Sequence, residues 1–334
     1  MRDRIYVADA WLSRAKHARN NQSLVNFMRS LLSFIFVILA GRIKKISRKP
    51  DRQICDCDWD NLIIFDSCRY DQFCNVVPDY VDTELRITRG SNTVEFLFEN
   101  FDNVACPDTV YITANAQYLR LLRDGRINNT FHDVIYIGDE WDQNLQTVHP
   151  TAVVRRALEV SRIYPNKRLI IHFVQPHYPF IGHKATQIKR EFGKSLGRIS
   201  TLEDDGKIVD SKTTHFPGYT QALDAGIAPD EIKLAYRESI DIVFSQSEKL
   251  ISQLQGKSVI TADHGEHLGE RPIPFSRPLW GHPPGLFTEA LRFVPWAVFN
   301  TETRKEVDCR GEQDGLILNI RDIDDHLSHL GYNY

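Results

Sequence analysis

A polar residue that directly follows a buried strand has rigid backing and an open side, which suits it to chemistry. Asp66 follows the apolar run NLIIF in NLIIFDSCRYD. A carboxylate there suits a divalent metal ion, and it suits equally an N-cap for the helix that comes next. Asp263 and His264 follow KSVITA in VITADHGEHLGE. Neighbours on a strand point apart, but a break into loop before Gly265 lets both turn toward one ion. A carboxylate oxygen with an imidazole nitrogen favours zinc or manganese, with calcium or magnesium also compatible with the oxygen donors. Glu266 and His267 add two ionisable groups to the same loop, which is poor material for a core.

Histidines in proline-rich loops extend the set. HFVQPHYPF places His177 just beyond the strand that holds His172, and WGHPPG places His282 18 residues after His264. For His172, inside its strand, an ordinary structural hydrogen bond is the expected role. For His177 and His282 the loop setting favours contact with metal or substrate. RGSNTVEFLFENF supplies two hydroxyls, Ser91 and Thr93, after Arg89 and Gly90 and at the start of a predicted helix. Free N–H groups at a helix N-terminus bind anions, and a hydroxyl beside a divalent cation ionises more readily and attacks in line. With Glu95 nearby the same residues also read as an ordinary helix cap.

The elements that must hold these groups alternate. Strands are predicted at 61–65, 109–113, 133–137, 168–174, 257–262 and 293–299, several without period-2 alternation, as in a sheet covered on both faces. Helices are predicted to begin near Thr93, His149 and Pro229, the last with proline and acidic residues in its first turn. This is an α/β fold with a mostly parallel central sheet and helices on both faces. Residues 51–334 form the folded domain, with an irregular insertion at about 181–228 and a closing helix from about Ile320.

Composition narrows the class. Of 334 residues, 42% are hydrophobic and 25% charged, which fits a globular chain and excludes collagen-like or wholly disordered ones. The net charge of -3 gives no reason to expect nucleic acid as a partner. It hides an asymmetry: residues 1–50 carry 11 Lys/Arg against 2 Asp/Glu, or +9, and the rest carry 30 against 42, or -12. That arm holds the apolar run 31–41, bracketed by Arg29 and Arg42. The uncharged stretch spans about 18 Å as a helix, short of the roughly 30 Å hydrocarbon core. Residues 24–49 therefore read as an interfacial or docking helix with a polybasic flank on an anionic membrane surface. Packing of this helix against the body or a partner subunit is the competing reading, and a true span is the least favoured. Six widely spaced cysteines do not resemble a secreted disulfide framework, so the expected location is cytoplasmic, peripheral on the membrane's cytoplasmic face.

Taken together, these motifs resemble the sulfatase-like branch of the alkaline phosphatase superfamily, over roughly residues 58–330. In that family an Asp ends the first core strand, a nucleophile begins the next helix, and a late Asp-His pair completes the metal site. The resemblance assigns Asp66, Thr93, Asp263 and His264 to one metal site, with His282 beside the metal or substrate and His177 on the substrate's anionic group. The modified sulfatase signature, Cys or Ser followed by x-Pro-x-Arg, is absent. GSNTVEF instead resembles an unmodified variant with Thr93 as nucleophile and Ser91 as second choice. A tandem Asp-Asp is also missing, since Ser67 follows Asp66, so a second metal ion is not secured.

The resemblance implies a metal-dependent hydrolase or transferase of phosphate mono- or diesters, with an anionic ester as substrate and glycan or lipid-linked headgroups as candidate carriers of it. Arg69 or Arg89 would offset charge in the transition state. A sulfate ester hydrolase is one alternative, and a non-catalytic binder of anionic glycans or lipids is another.

Overall fold

The structure is a computed structural model and describes residues 49–203, 218–271, 278–309 and 323–330. The basic arm, including residues 24–48 of the expected membrane-facing helix, lies outside the described residues. No helix among the described residues is long and apolar enough to cross a membrane.

The chain runs β1 (Asn61–Asp66), α1 (Tyr70–Cys74), β2 (Thr83–Ile87), α2 (Thr93–Phe101), β3 (Cys106–Thr113), α3 (Gln117–Arg123) and β4 (Phe131–Tyr136). A two-stranded ribbon, β5 (Trp141–Asp142) and β6 (Thr147–Val148), precedes α4 (Pro150–Ile163) and β7 (Arg168–Pro176). Then come α5 (His183–Glu203), α6 (Tyr219–Asp224), α7 (Pro229–Ile251), β8 (Ser258–Ala262) and a second ribbon of β9 (His267–Glu270) and β10 (Leu279–Gly281). The short helix α8 (Glu289–Arg292), β11 (Phe293–Phe299) and α9 (Ile323–His329) close the described chain.

Seven strands form one sheet in the order β2-β11-β8-β1-β7-β3-β4. Among the described strands of this sheet β11 alone runs opposite to the other six, pairing antiparallel with β2 and β8. The sheet is thus mostly parallel, as the unbroken apolar runs imply. Strand alternation sorts the core into two layers. Ile63, Phe65, Ile171, Phe173 and Ile260 face α4, α5 and α7. Leu62, Ile64, Ile170 and Val259 face α2, α3 and α9.

Three elements differ from the sequence reading. The edge strand β2, TELRI, was not expected, because its partly exposed, charged residues hide a strand signal that is weak at a sheet edge. The insertion at 181–228 is not irregular throughout: α5 occupies His183–Glu203 and α6 Tyr219–Asp224, while 204–217 lie outside the described residues. Good helix formers dominate the start of α5. Ala185 and Ile188 pack into the core, and the Glu238 carboxylate of α7 accepts the first N–H groups, from His183 at 3.0 Å and Lys184 at 2.7 Å. The third difference is covalent. Cys55 and Cys106, 51 positions apart in sequence, form a disulfide that ties the segment before β1 to the start of β3, whereas the cysteine spacing suggested no such framework.

Candidate metal centre

The two central pairings, β8 with β1 and β1 with β7, bring three carboxyl ends together. This is where open α/β sheets place their sites. Period-2 alternation aims the polar groups: Asp66 continues the face of Leu62 and Ile64, His172 that of Ile170, and Asp263 that of Val259. All three open toward the layer containing α2, whose first residue is Thr93.

The turn after β1 is unusual. Ser67 adopts a left-handed φ of 64°, costly for a residue with a side chain. The strained turn has a return: the Ser67 N–H donates to Asp263 Oδ1 at 3.0 Å, and the Ser67 hydroxyl to Asp66 Oδ1 at 3.1 Å. Tyr236 of α7 clasps it from below, donating its hydroxyl to the Ser67 carbonyl at 2.7 Å. Asn115, just past β3, donates to Asp66 Oδ2 at 2.6 Å.

The loop after β8 needs its glycine. A Cβ on Gly265 would lie 2.0 Å from the Ala290 carbonyl oxygen, so only glycine fits beside α8. His264 Nδ1 lies 2.8 Å from the Gly265 carbonyl, which can only accept, so Nδ1 carries the proton. The lone pair is therefore on Nε2. That nitrogen sits 3.2 Å from Thr93 Oγ1, 3.3 Å from Asp263 Oδ2 and 3.6 Å from Asp66 Oδ1. All four residues are buried.

Two carboxylates, an imidazole lone pair and a hydroxyl converging away from water form a donor set for a divalent cation. Burial, then the charge of Asp263, push the Asp66 carboxyl well above its ordinary range, the tension that a cation relieves. Asp263 Oδ2 and His172 Nε2 are buried without a hydrogen-bond partner, and ligand atoms of Asp66, His172 and Asp263 lie within 4.8 Å of one another. The residues fit a metal ion.

No family model matches the sequence, and no curated protein matches it. Solved structures are similar. One is the C-terminal periplasmic domain of EptC from Escherichia coli in complex with Zn, 14% identical, with a TM-score of 0.42 and 75% of each chain covered. Another is the phosphonate monoester hydrolase of Agrobacterium radiobacter, 13% identical, TM-score 0.42, covering 71% of this chain and 67% of that one. A third is a protein in the alkaline phosphatase superfamily from Vibrio parahaemolyticus, 11% identical, TM-score 0.38, covering 82% of this chain and 70% of that one. These are structures to which the chain is similar, none of the three above 14% identity. At these identities and scores the likenesses carry no argument about the reaction, which rests on the site itself.

Of the residues singled out by resemblance to that superfamily, the structure gathers Asp66, Thr93, Asp263 and His264 into one cluster. His282 and His177 stand beside it, their ring centres 4.5 Å from His264 and 4.9 Å from His282 respectively. Nδ1 of His282 meets Glu266 Oε2 at 3.0 Å, and Nδ1 of His177 meets the Tyr178 carbonyl. Burial, then the His282 and His264 rings, push His177 well below its ordinary value, so it stands neutral. Burial also pushes the Glu266 carboxyl up to about 8.

The other candidates go elsewhere. The Ser91 hydroxyl donates to Glu95 Oε2 at 2.7 Å, and Asn92 caps α2 by accepting from the Glu95 N–H at 3.1 Å, so Ser91 is part of the helix entry. Arg69 is a strut, pairing with Asp71 at 2.8 Å and with Glu270. Arg89 donates to the carbonyls of Glu99 at 3.1 Å and Asp51 at 2.9 Å. Neither guanidinium is turned to the metal cluster, because backbone oxygens and outer carboxylates claim both. His267 also turns away, its Nε2 lying 2.9 Å from Thr288 Oγ1. Asn115 was overlooked although TANAQ after the strand TVYIT carries the same strand-end signal as Asp66.

Proposed function

We propose that this chain is a metal-dependent phosphoesterase or phosphotransferase in which Thr93 is the nucleophile. The observation that carries the reading is the Thr93 hydroxyl, buried at the head of α2 and 3.2 Å from the unprotonated nitrogen of His264, with Asp66 and Asp263 on the same nitrogen's other sides. Asp66, Asp263 and His264 would hold a divalent cation, whose Lewis acidity would favour the alkoxide of Thr93 and offset charge on the ester. The α2 N-terminus contributes its dipole to the developing anion. His282, beside the cluster with its Nδ1 on Glu266, binds the anionic group or protonates the departing alcohol, and His177, whose Nδ1–H is given to the Tyr178 carbonyl, meets the anionic group only when its other nitrogen is protonated as well. A threonine alkoxide attacks phosphorus and displaces that alcohol. Water or a second alcohol then takes the phosphoryl group from Thr93, which regains its proton.

Zinc and manganese suit the mixed oxygen and nitrogen donors best. The absence of the modified-residue signature supports phosphate over sulfate. Matched phosphate and sulfate esters, assayed before and after chelation and after returning zinc or manganese, test this reading. Phosphate turnover that vanishes with chelation and returns with metal is expected. Preference for sulfate, or turnover indifferent to chelation, would sink it.

Two wider proposals concern where the chain acts. Residues 24–49 bring it to an anionic bilayer, so that deleting residues 1–50 abolishes salt-sensitive liposome binding; unchanged binding refutes this. The Cys55–Cys106 bridge supports an oxidising compartment in place of the cytoplasmic one suggested by cysteine spacing, since such bridges are rare in reducing cytosol.

A further inference from the structure

Behind the metal cluster, toward the interior of the sheet, lie two buried side chains that the proposed reaction does not use. His172 is fully buried on β7, and Tyr111 is buried on the adjacent strand β3. Tyr111 Oη lies 2.7 Å from His172 Nδ1. A phenol is a stronger donor than a neutral imidazole N–H, and an imidazole nitrogen is a stronger acceptor than a phenolic oxygen. The Tyr111 hydroxyl therefore donates and Nδ1 accepts, which leaves the single proton of the neutral ring on Nε2.

That Nε2–H faces Asp263 Oδ2 across 3.8 Å. The separation is longer than a hydrogen bond, yet both atoms are buried and neither has a hydrogen-bond partner. The other oxygen of the same carboxylate is already fixed, accepting the N–H groups of Ser67 at 3.0 Å and His264 at 2.8 Å. With Oδ1 pinned, rotation of the Asp263 carboxylate is set by what faces Oδ2, which is the unprotonated His264 Nε2 at 3.3 Å and, as the one proton donor of the two, His172 at 3.8 Å.

We propose that His172, its tautomer fixed by Tyr111, is a positioning residue that orients Asp263 to bind the metal ion and is not itself a ligand. The proposal rests on the reading of this cluster as a metal site. It assigns a role to the one strand histidine that sequence position marks as merely structural. Partners that orient metal ligands in this way typically change affinity by about 10–100-fold when removed.

The test is zinc affinity of the full chain by competition with a chromophoric chelator, together with nitrogen-15 NMR of labelled histidine. His172→Leu is expected to weaken zinc binding by about 10–100-fold. His172→Gln, whose amide nitrogen can replace the Nε2 donor, is expected to stay within about fivefold of wild type, and Tyr111→Phe to fall between the two. In the wild-type chain the His172 Nε2 proton should persist when zinc binds. Loss of that proton on adding zinc would make His172 a ligand and overturn the proposal, as would wild-type affinity in His172→Leu. If His172→Leu fails to fold, shown by loss of its thermal transition, the NMR result on the wild type decides. Failure of the wild type to bind zinc or manganese overturns the metal reading and this proposal together; normal binding with an indifferent His172 overturns the proposal alone.

Discussion

Each oxygen of Asp66 has a named donor, Ser67 at 3.1 Å and Asn115 at 2.6 Å, so the carboxylate arrives at the cluster already aimed. Asn115→Ala should weaken metal binding by about 10–100-fold without displacing Thr93, measured by chelator competition; unchanged affinity would remove Asn115 from the site's support. Ser91→Ala should do the opposite. It removes a hydroxyl that serves Glu95, costing about 1 kcal/mol in thermal or urea unfolding while turnover survives. Asp66, Thr93, Asp263 and His264 could be picked out in the sequence because each sits at the end of an apolar run or the head of a helix, where local pattern alone gives direction. Arg69 and Arg89 could not be placed that way. Their long side chains reach partners at Glu270 and Asp51, distant in sequence, and nothing in the local pattern records that choice. His172 makes the structural hydrogen bond expected of it, to Tyr111, and its position facing Asp263 follows only once β7 is set beside β1 and β8.

At the scale of elements, the site depends on two turns that the strands cannot make unaided. The break after β8 is closed by Gly265 against the Ala290 carbonyl. Gly265→Ala should therefore destabilise the fold by about 2 kcal/mol or more and lower metal affinity, read by thermal denaturation with and without zinc; a wild-type melting curve would contradict this contact. The ribbon that follows is held by the Arg69–Glu270 pair. Burial opposes ionisation of Glu270, but the His267 ring, its Nδ1 3.6 Å away, and the Arg69 guanidinium outweigh it and hold the carboxyl down at about 2. A lowered folded-state pKa adds stability above the unfolded value of about 4.3 and loses it as pH falls toward 2. Glu270→Gln should flatten the acid limb of the stability profile between those values, and an unchanged limb would show that the pair contributes nothing. The strands of the sheet were legible as apolar runs, whereas β2 and α5 were not. An edge strand needs only its neighbour's hydrogen bonds, and the capping of α5 comes from Glu238, 55 residues from His183.

For the whole molecule, one sheet with helices on both faces carries Asp66, His177, Asp263 and His264 at the carboxyl ends of β1, β7 and β8, with Thr93 at the head of α2, while His282 follows β10 of the second ribbon. The opposite end is stitched by the Cys55–Cys106 bridge. Thiol titration of the unfolded, unreduced chain should find four free cysteines of six, and reduction should cost on the order of 2–4 kcal/mol of stability. Six free thiols would remove the bridge and the compartment inferred from it. The -12 of residues 51–334 would give the proposed anionic ester no help, so the proposed cation would have to supply the attraction that Arg69 and Arg89 do not. In the proposed reaction this cation would serve a threonine nucleophile. The most direct measurement pairs metal content with phosphodiester turnover in wild type and Thr93→Ala, both as full-length, zinc-loaded protein. The predicted result is metal content within about twofold of wild type, with turnover down by at least about 10³-fold. Wild-type turnover in Thr93→Ala at equal metal content would contradict it.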